Sequence, residues 1–375
     1  MKRIFINGLS AKLGGGKSIL DNYLTILSAS DSRGKYYVLT QNKIEYDKFS
    51  SETIEIIDIK KVFKKKELMP ITYKYCLPRL IKSLKIDAIF NFADIPIPAN
   101  GVKQVFLFDW PYAVYPNSSV WKSMDLKSFL VRKIKLFYFK KFLSSVSLMI
   151  AQTKTIKTRL ERLYGLENVV LVPNAVTLEH KKEVPFYDFS LPDGTLLLCL
   201  SRYYPHKNIE IFIPLAEEIK RKELNFKIII TIDESQDRRV KPFLSSVKER
   251  GLDGIIFNVG SVNLKDTPSL YQQCDGLLMP TLLETYCLPY LESMQHKRLI
   301  LTSDMDFSRD VCGNAAVYFD PLNHLSILKV IEEIYSNNTL REEKILNGSK
   351  RLKEVSSWEG VAQSYTHILE DILKL

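Results

Sequence analysis

Short apolar runs alternate with amphipathic stretches of roughly 10–20 residues from one end of the chain to the other, the pattern of an α/β protein built on parallel sheets. In the first half the runs predict strands at Arg3–Asn7, Tyr36–Thr40, Thr53–Ile57, Ala88–Asn91, Gln104–Phe108, Leu148–Ala151 and Val169–Val172. In the second half they predict strands at Thr195–Leu200, Lys227–Thr231, Gly254–Val259, Gly276–Met279, Arg298–Thr302 and Ala316–Phe319. Two strand series imply two sheets. Between them Asn174–Gly194 is charged, holds Pro185 and Pro192 and has no clear period, which reads as a connector. Near the end, Val361, Tyr365, Ile368 and Ile372 fall close to helical spacing and predict an amphipathic helix over Trp358–Leu373 that covers apolar surface.

Composition fits this reading. At 375 residues and 46% hydrophobic the chain is long and apolar enough for about two domains, each with its own core. The five cysteines are odd in number, scattered and never spaced CxxC, which speaks against a disulfide scaffold or zinc site and for a reducing compartment. The start MKRIFINGLS turns polar too soon for a secretory signal. The longest apolar runs, Thr195–Leu200 and Phe226–Ile232, are strand-length and far short of a membrane span. A cytoplasmic location is therefore expected, free or on the inner face of the membrane.

Charge changes the picture in one half only. Residues 1–150 carry 25 Lys and Arg against 12 Asp and Glu, a net of +13, which leaves the remaining 225 residues at −3 of the total +10. The densest clusters are Lys60, Lys61, Lys64, Lys65 and Lys66, then Arg132, Lys133, Lys135, Lys140 and Lys141, the latter interleaved with Leu136, Phe137, Tyr138, Phe139 and Phe142. Two readings stay open: a helix suited to an anionic membrane surface, or a solvated helix whose aromatics are core. Nucleic acid is not expected as a partner, because no recognition module accompanies the charge.

In open parallel sheets, ligands bind outside the carboxyl ends of strands. The loop Gly8–Ser18 holds Gly14, Gly15, Gly16 and Lys17 just before a helix, where the main chain can approach an anion. It is not a P-loop, since the first glycine of that motif would fall at Ala11. After Thr195–Leu200 comes Ser201–Asn208, whose Arg202 and Lys207 can both reach a diphosphate. Met279–Met294 places Glu284 on a strand-end loop, Pro289 in the first turn of a helix and Glu292 inside it. Two carboxylates so placed can accept from the hydroxyls of a sugar or ribose, with backbone N–H groups of Thr285 to Leu288 near an anion. Asp304 and Asp306 spell a D-x-D that reads as a helix cap. Trp110, Tyr112 and Tyr115 either line a sugar-stacking surface or pack.

These segments resemble the glycosyltransferases of family 4. Val172-Pro173-Asn174-Ala175-Val176 is similar to that family's VPNGV, and Leu200-Ser201-Arg202 with His206-Lys207 to its GR…EKN loop. Glu284-Thr285-Tyr286-Cys287-Leu288-Pro289 with Glu292 resembles EGFGLP…E; Asp320-Pro321 and Trp358 also have counterparts. The resemblance implies the GT-B fold: two Rossmann-like domains, 1–176 for the acceptor and 177–355 for the nucleotide-sugar donor, their parallel sheets facing a central cleft, and a helix in 356–375 crossing back to the N-terminal domain. It implies retaining transfer from a nucleoside-diphosphate sugar to a glycan or lipid-linked acceptor, as in surface-polysaccharide assembly, with no metal or other cofactor.

By the same resemblance Arg202 and Lys207 hold the diphosphate, Glu284 the transferred sugar and Glu292 the ribose. Tyr286, Cys287 and Leu288 offer amides to the donor, and Gly14, Gly15 and Gly16 lie under its phosphates. The family's N-terminal-domain histidine is absent, since all five histidines (180, 206, 296, 324, 367) lie elsewhere. At its place Phe108-Asp109-Trp110-Pro111 makes Asp109 the candidate for orienting sugar or acceptor. Thr285 and Cys287 replace motif glycines, and Thr231-Ile232-Asp233-Glu234 replaces a glycine-rich turn. A non-catalytic nucleotide-sugar-binding subunit and a hydrolysing epimerase of the same fold are the alternatives. Glycoside hydrolysis also uses paired carboxylates, but would leave the cation loop without an anion.

Overall fold

The computed structural model describes residues 1–12, 14–30, 34–59, 69–181, 183 and 185–374. The lysine cluster at 60–66 lies outside the described residues. The chain divides into two compact units, one of residues 1–116, 125–175 and 356–375, the other of residues 117–124 and 176–355.

In the first unit, β1 (Lys2–Asn7), β2 (Gly34–Thr40), β3 (Ile54–Asp58), β4 (Ala88–Asn91), β5 (Lys103–Leu107), β6 (Leu148–Ala151) and β7 (Val169–Leu171) form a parallel sheet in the order β3-β2-β1-β4-β5-β6-β7. In the second, β8 (Thr195–Cys199), β9 (Phe226–Ile230), β10 (Ile256–Asn258), β11 (Gly276–Met279), β12 (Leu299–Ser303) and β13 (Ala316–Phe319) form another in the order β10-β9-β8-β11-β12-β13. Each expected strand is present, four of them with the expected bounds and the others with one or both ends moved by one or two residues. Strands such as TLLLC, GLLM and LILTS are mostly apolar and buried nearly end to end, without an apolar/polar alternation, because helices cover both faces of a parallel sheet and no face is left for water. In both units the order reverses beside the first strand, between β1 and β4 and between β8 and β11, and such a switch point opens a crevice at the strand carboxyl ends.

Buried amides at the ends of the first sheet set its loops. Asn7 Nδ2 donates to Asn91 Oδ1 at 3.0 Å, and Asn91 Nδ2 to Gln104 Oε1 at 3.0 Å. The same side chains accept from the N–H groups of Ala93 (2.9 Å) and Ile97 (3.0 Å), so the loop after β4 has its backbone satisfied without a regular element.

The helix Leu126–Phe142 is capped by Asp125, whose side chain accepts from Ser128 N at 3.0 Å. Its aromatics divide. Phe139 and Phe142 are core, with Phe139 packed edge-on to Phe106, Phe108 and Tyr164, whereas Phe137 is exposed. Trp110, Tyr112 and Tyr115 are buried, each with a cation over its ring: Lys135 at 4.3 Å, Arg132 at 4.7 Å and Arg159 at 4.1 Å. These three therefore pack, and the sugar-stacking reading gives way to cation–π contacts within the unit.

The helix Trp358–Lys374 belongs to the first unit. Its Tyr365, fully buried, stands edge-on to Tyr23 (5.5 Å) and Phe90 (5.1 Å). All five cysteines are free thiols. No described helix is long and apolar enough to cross a membrane. Tyr365→Ala should open a cavity under the last helix and cost about 3–5 kcal/mol, read from urea unfolding of the full chain.

Candidate functional site

The second unit brings four strand-end segments together. After β8 the chain runs through Ser201–Asn208 into a short helical turn, Pro205–Lys207. This loop is pinned at its base. Ser201 N donates to Thr231 Oγ1 at 3.0 Å, and the Tyr203 N–H donates to Gln236 Oε1 at 2.8 Å. Asn208 takes the left-handed conformation (φ 55°) and its amide donates to the Pro321 carbonyl at 2.7 Å, tying the loop to the Asp-Pro pair. The segment Thr231–Glu234 thus holds the cation loop through a threonine hydroxyl.

The loop after β11 is bonded to the same turn. Leu282 N donates to the His206 carbonyl at 2.7 Å. Beyond it, Lys207 and Glu284, 77 residues apart in sequence, form an ion pair between Nζ and Oε1 with both side chains largely buried. Thr281 Oγ1 adds a hydrogen bond to the same carboxylate oxygen at 3.1 Å. Burial by itself would lower the pKa of Lys207, but the Glu284 carboxylate outweighs it and holds the ammonium above its ordinary value. A lysine has three donors and a carboxylate two oxygens, so the pair keeps capacity for a guest. Arg202 is half-buried on the same loop and lends positive charge to Asp233, whose carboxyl lies below its usual range chiefly through the Ser235 hydroxyl.

The helix Leu288–Gln295 starts with Pro289 in its first turn. Its N-cap, Cys287, has φ 62°, the left-handed region that favours glycine. Cys287, standing where the motif has glycine, takes the positive φ that glycine favours, which places a thiol in a strained, buried position. Burial first, and then the Glu284 charge, push that thiol well above its ordinary pKa. Tyr286 and Leu288 are buried on either side of it.

Glu292, 5% exposed, is embedded in a polar network that sequence reasoning missed. Thr177 Oγ1 donates to its Oε1 at 2.9 Å and Tyr271 OH to its Oε2 at 3.1 Å. His180 Nε2 lies 3.6 Å from Oε1 and 3.0 Å from Thr267 Oγ1, and His180 Nδ1 lies 2.9 Å from His296 Nε2. The His296 ring stacks on Tyr271 with centroids 5.3 Å apart. The D-x-D segment does other work: Asp304 takes Arg309 in two bonds (2.5 and 2.8 Å), and the following helix begins at Asp306 with Met305 as its N-cap, so only Asp306 sits in the first turn.

In the first unit, Gly14 begins the helix Gly14–Ser28 with φ 68°, and a Cβ on Gly14 or Gly15 would meet nothing within 4 Å. A Cβ on Gly16 would stand 3.2 Å from Asp109 Oδ2, so the glycine loop and Asp109 are neighbours. Gln152 Nε2 donates to Asp109 Oδ1 at 3.4 Å, and Asn174 Nδ2 to Gln152 Oε1 at 2.6 Å, which links the Val-Pro-Asn segment to Asp109. Lys17 turns away from the glycines to Asp21 and Glu45.

Removing one member of the buried pair should be costly. Lys207→Met leaves the Glu284 carboxylate without its cation and should lose about 3–5 kcal/mol in urea unfolding at pH 7, a loss that Glu284→Gln in the same chain reduces. His296 gives a pH signature. Burial, then His180 and Arg298, lower its pKa from 6.5 to about 4. At pH 7 it is neutral folded and unfolded; between pH 6.5 and about 4 the unfolded chain takes up a proton the folded one refuses, so stability falls as pH drops. His296→Gln should flatten that part of the stability profile.

Residues 186–351 match the family "Glycosyl transferases group 1". Glycogen synthase of Kosmotoga olearia is 24% identical over 213 residues, 52% of this chain and 43% of that protein, so the chain aligns with less than half of that relative's length. Among solved structures, sucrose-phosphate synthase from Thermosynechococcus elongatus superposes with a TM-score of 0.80 at 14% identity over 100% of both chains. Anabaena HepE in complex with UDP-glucose superposes with a TM-score of 0.76 at 14% identity, over 99% of this chain and 100% of that one. The chain therefore has the GT-B-type fold of two parallel-sheet α/β domains, and residues 186–351 are similar in sequence to the group 1 glycosyl transferases.

Proposed function

We propose that the protein is a retaining glycosyltransferase that moves a sugar from a nucleoside-diphosphate sugar to a glycan or lipid-linked acceptor in surface-polysaccharide assembly. The observation that carries this reading is the buried Lys207–Glu284 pair, with Arg202 on the same loop as Lys207, at strand carboxyl ends of the unit that holds the residues similar to the group 1 glycosyl transferases. The UDP-glucose complex of the Anabaena neighbour supports a donor of this class.

Cleavage of the donor leaves charge on the nucleoside diphosphate, and preorganised cations stabilise it most where water is excluded. Arg202 and Lys207 take that role, with the amides of Tyr286, Cys287 and Leu288 at the helix start beside them. Glu284, held by Lys207 and Thr281, accepts hydrogen bonds from the transferred sugar, and Glu292 from the ribose. Gly14, Gly15 and Gly16 let the main chain approach the phosphates, and Asp109 orients sugar or acceptor. Two cations and a helix terminus take the place of a metal ion. Glu284→Gln should abolish transfer while circular dichroism stays native; full turnover removes Glu284 from the reaction. Arg202→Ala should weaken nucleoside-diphosphate binding about tenfold in calorimetry, the size of one charge-assisted contact. Activity should survive EDTA and should release nucleoside diphosphate only when acceptor is present. Release with water alone identifies a hydrolysing epimerase, and binding without release identifies a non-catalytic subunit.

The helix Leu126–Phe142 supports an anionic membrane surface as a further partner. It carries no acidic residue, and Leu126, Leu130, Val131, Ile134 and Phe137 are exposed on it among Lys127, Lys133, Lys140 and Lys141. Apolar side chains that no core covers, ringed by lysines, suit the boundary between head groups and acyl chains. Flotation with phosphatidylglycerol vesicles should show binding that high salt reverses and that Leu130→Ser with Phe137→Ser removes; equal flotation with neutral vesicles rejects the surface.

A further inference from the structure

Glu292 is the least exposed carboxylate of the site, and three elements converge on it. Thr177 comes from the segment that enters the second unit, Tyr271 from the helix Thr267–Gln273, and His180 from the short turn Leu178–Lys181. Thr177 and Tyr271 donate to different oxygens, 2.9 Å to Oε1 and 3.1 Å to Oε2. A carboxylate bonded at both oxygens by donors from two elements has its plane fixed, and each oxygen keeps a second lone pair. The Tyr271 hydroxyl has one other acceptor in reach, the Pro289 carbonyl at 3.3 Å.

The histidines brace this arrangement from behind. The Thr267 hydroxyl donates to the Leu264 carbonyl at 2.7 Å, so it accepts from His180 Nε2–H. With its proton on Nε2, His180 can accept at Nδ1, and His296 Nε2–H supplies the bond at 2.9 Å. His296 in turn stacks on the Tyr271 ring. Each link fixes the next: Thr267 sets the tautomer of His180, His180 holds the His296 ring that stacks on Tyr271, and Tyr271 bonds Glu292.

We infer that Thr177 and Tyr271, braced by His180 and His296, are positioning residues that aim the free lone pairs of Glu292 at the vicinal hydroxyls of the donor's ribose. A carboxylate is acceptor-only, and two adjacent hydroxyls are the ligand that a fixed pair of oxygens fits; a single hydroxyl gains little from the second. The inference rests on the donor-binding reading above. It makes the second unit a reader of the ribose, with discrimination set by residues that never touch it.

The experiment compares, in the full chain, calorimetric affinity for UDP, GDP and ADP with that for their 2′-deoxy forms. Wild type should bind at least one ribonucleotide about tenfold more tightly than its deoxy form, the size of one hydrogen bond to a charged group. Tyr271→Phe and Thr177→Val should each shrink that ratio toward one while affinity for the deoxy form changes little. A merely structural loss would weaken both forms alike and leave the ratio intact, and that result overturns the inference while the donor-binding reading stands. Should Tyr271→Phe fail to fold, Thr177→Val decides alone. A wild-type chain that binds the ribo and deoxy forms equally also overturns it, and one that binds none of the nucleotides overturns the functional reading together with it.

Discussion

A lysine and a glutamate largely hidden from water stay charged here because each supplies what the solvent no longer does. Moving either ion alone out of water costs several kcal/mol, and the mutual attraction offsets this only when the remaining donors and acceptors are also placed. The Lys207–Glu284 pair meets that condition through Thr281 and through the bond between Leu282 and the His206 carbonyl, which hold the loops after β8 and β11 in register. The loop after β9 joins through Thr231, and the segment after β13 through Pro321. Four strand-end segments of one sheet are thereby fixed around one ion pair.

The strands were legible because their chemistry is local. A parallel sheet covered on both faces wants apolar runs without alternation, and Thr195–Cys199 or Gly276–Met279 announce themselves by that alone. The order β3-β2-β1-β4 was not, since no period tells a strand which neighbour it will pair with. Arg202, Lys207 and Glu284 drew notice on strand-end loops and Glu292 in the helix that follows, as cations suited to a diphosphate and carboxylates suited to hydroxyls; the family resemblance divided sugar and ribose between the two carboxylates. Contact between Lys207 and Glu284 spans 77 residues, a distance over which spacing carries no information.

The surroundings of Glu292 were invisible for a related reason. A threonine, a tyrosine and two histidines are common residues, and Thr177 and His180 lie 115 and 116 positions from partners that give them meaning. One trace was present: Thr177 directly follows the segment that resembles VPNGV, so a hydroxyl there stood next to a recognisable landmark. Cys287 is the opposite case, a departure conspicuous in sequence that the backbone absorbs, because the chain keeps the left-handed turn that glycine would take.

The cation loop offers a last point. Ser201 and Tyr203 are held by side chains of the neighbouring segment and Asn208 by a carbonyl, so the loop has already given up most of its conformational freedom on folding. A guest arriving there has little backbone left to order, and its binding enthalpy need not be spent on freezing the host. For the diphosphate proposed to bind there, a host this rigid would select by shape as much as by charge, so that the bond lengths of the guest, and not only its valence, become a criterion for entry.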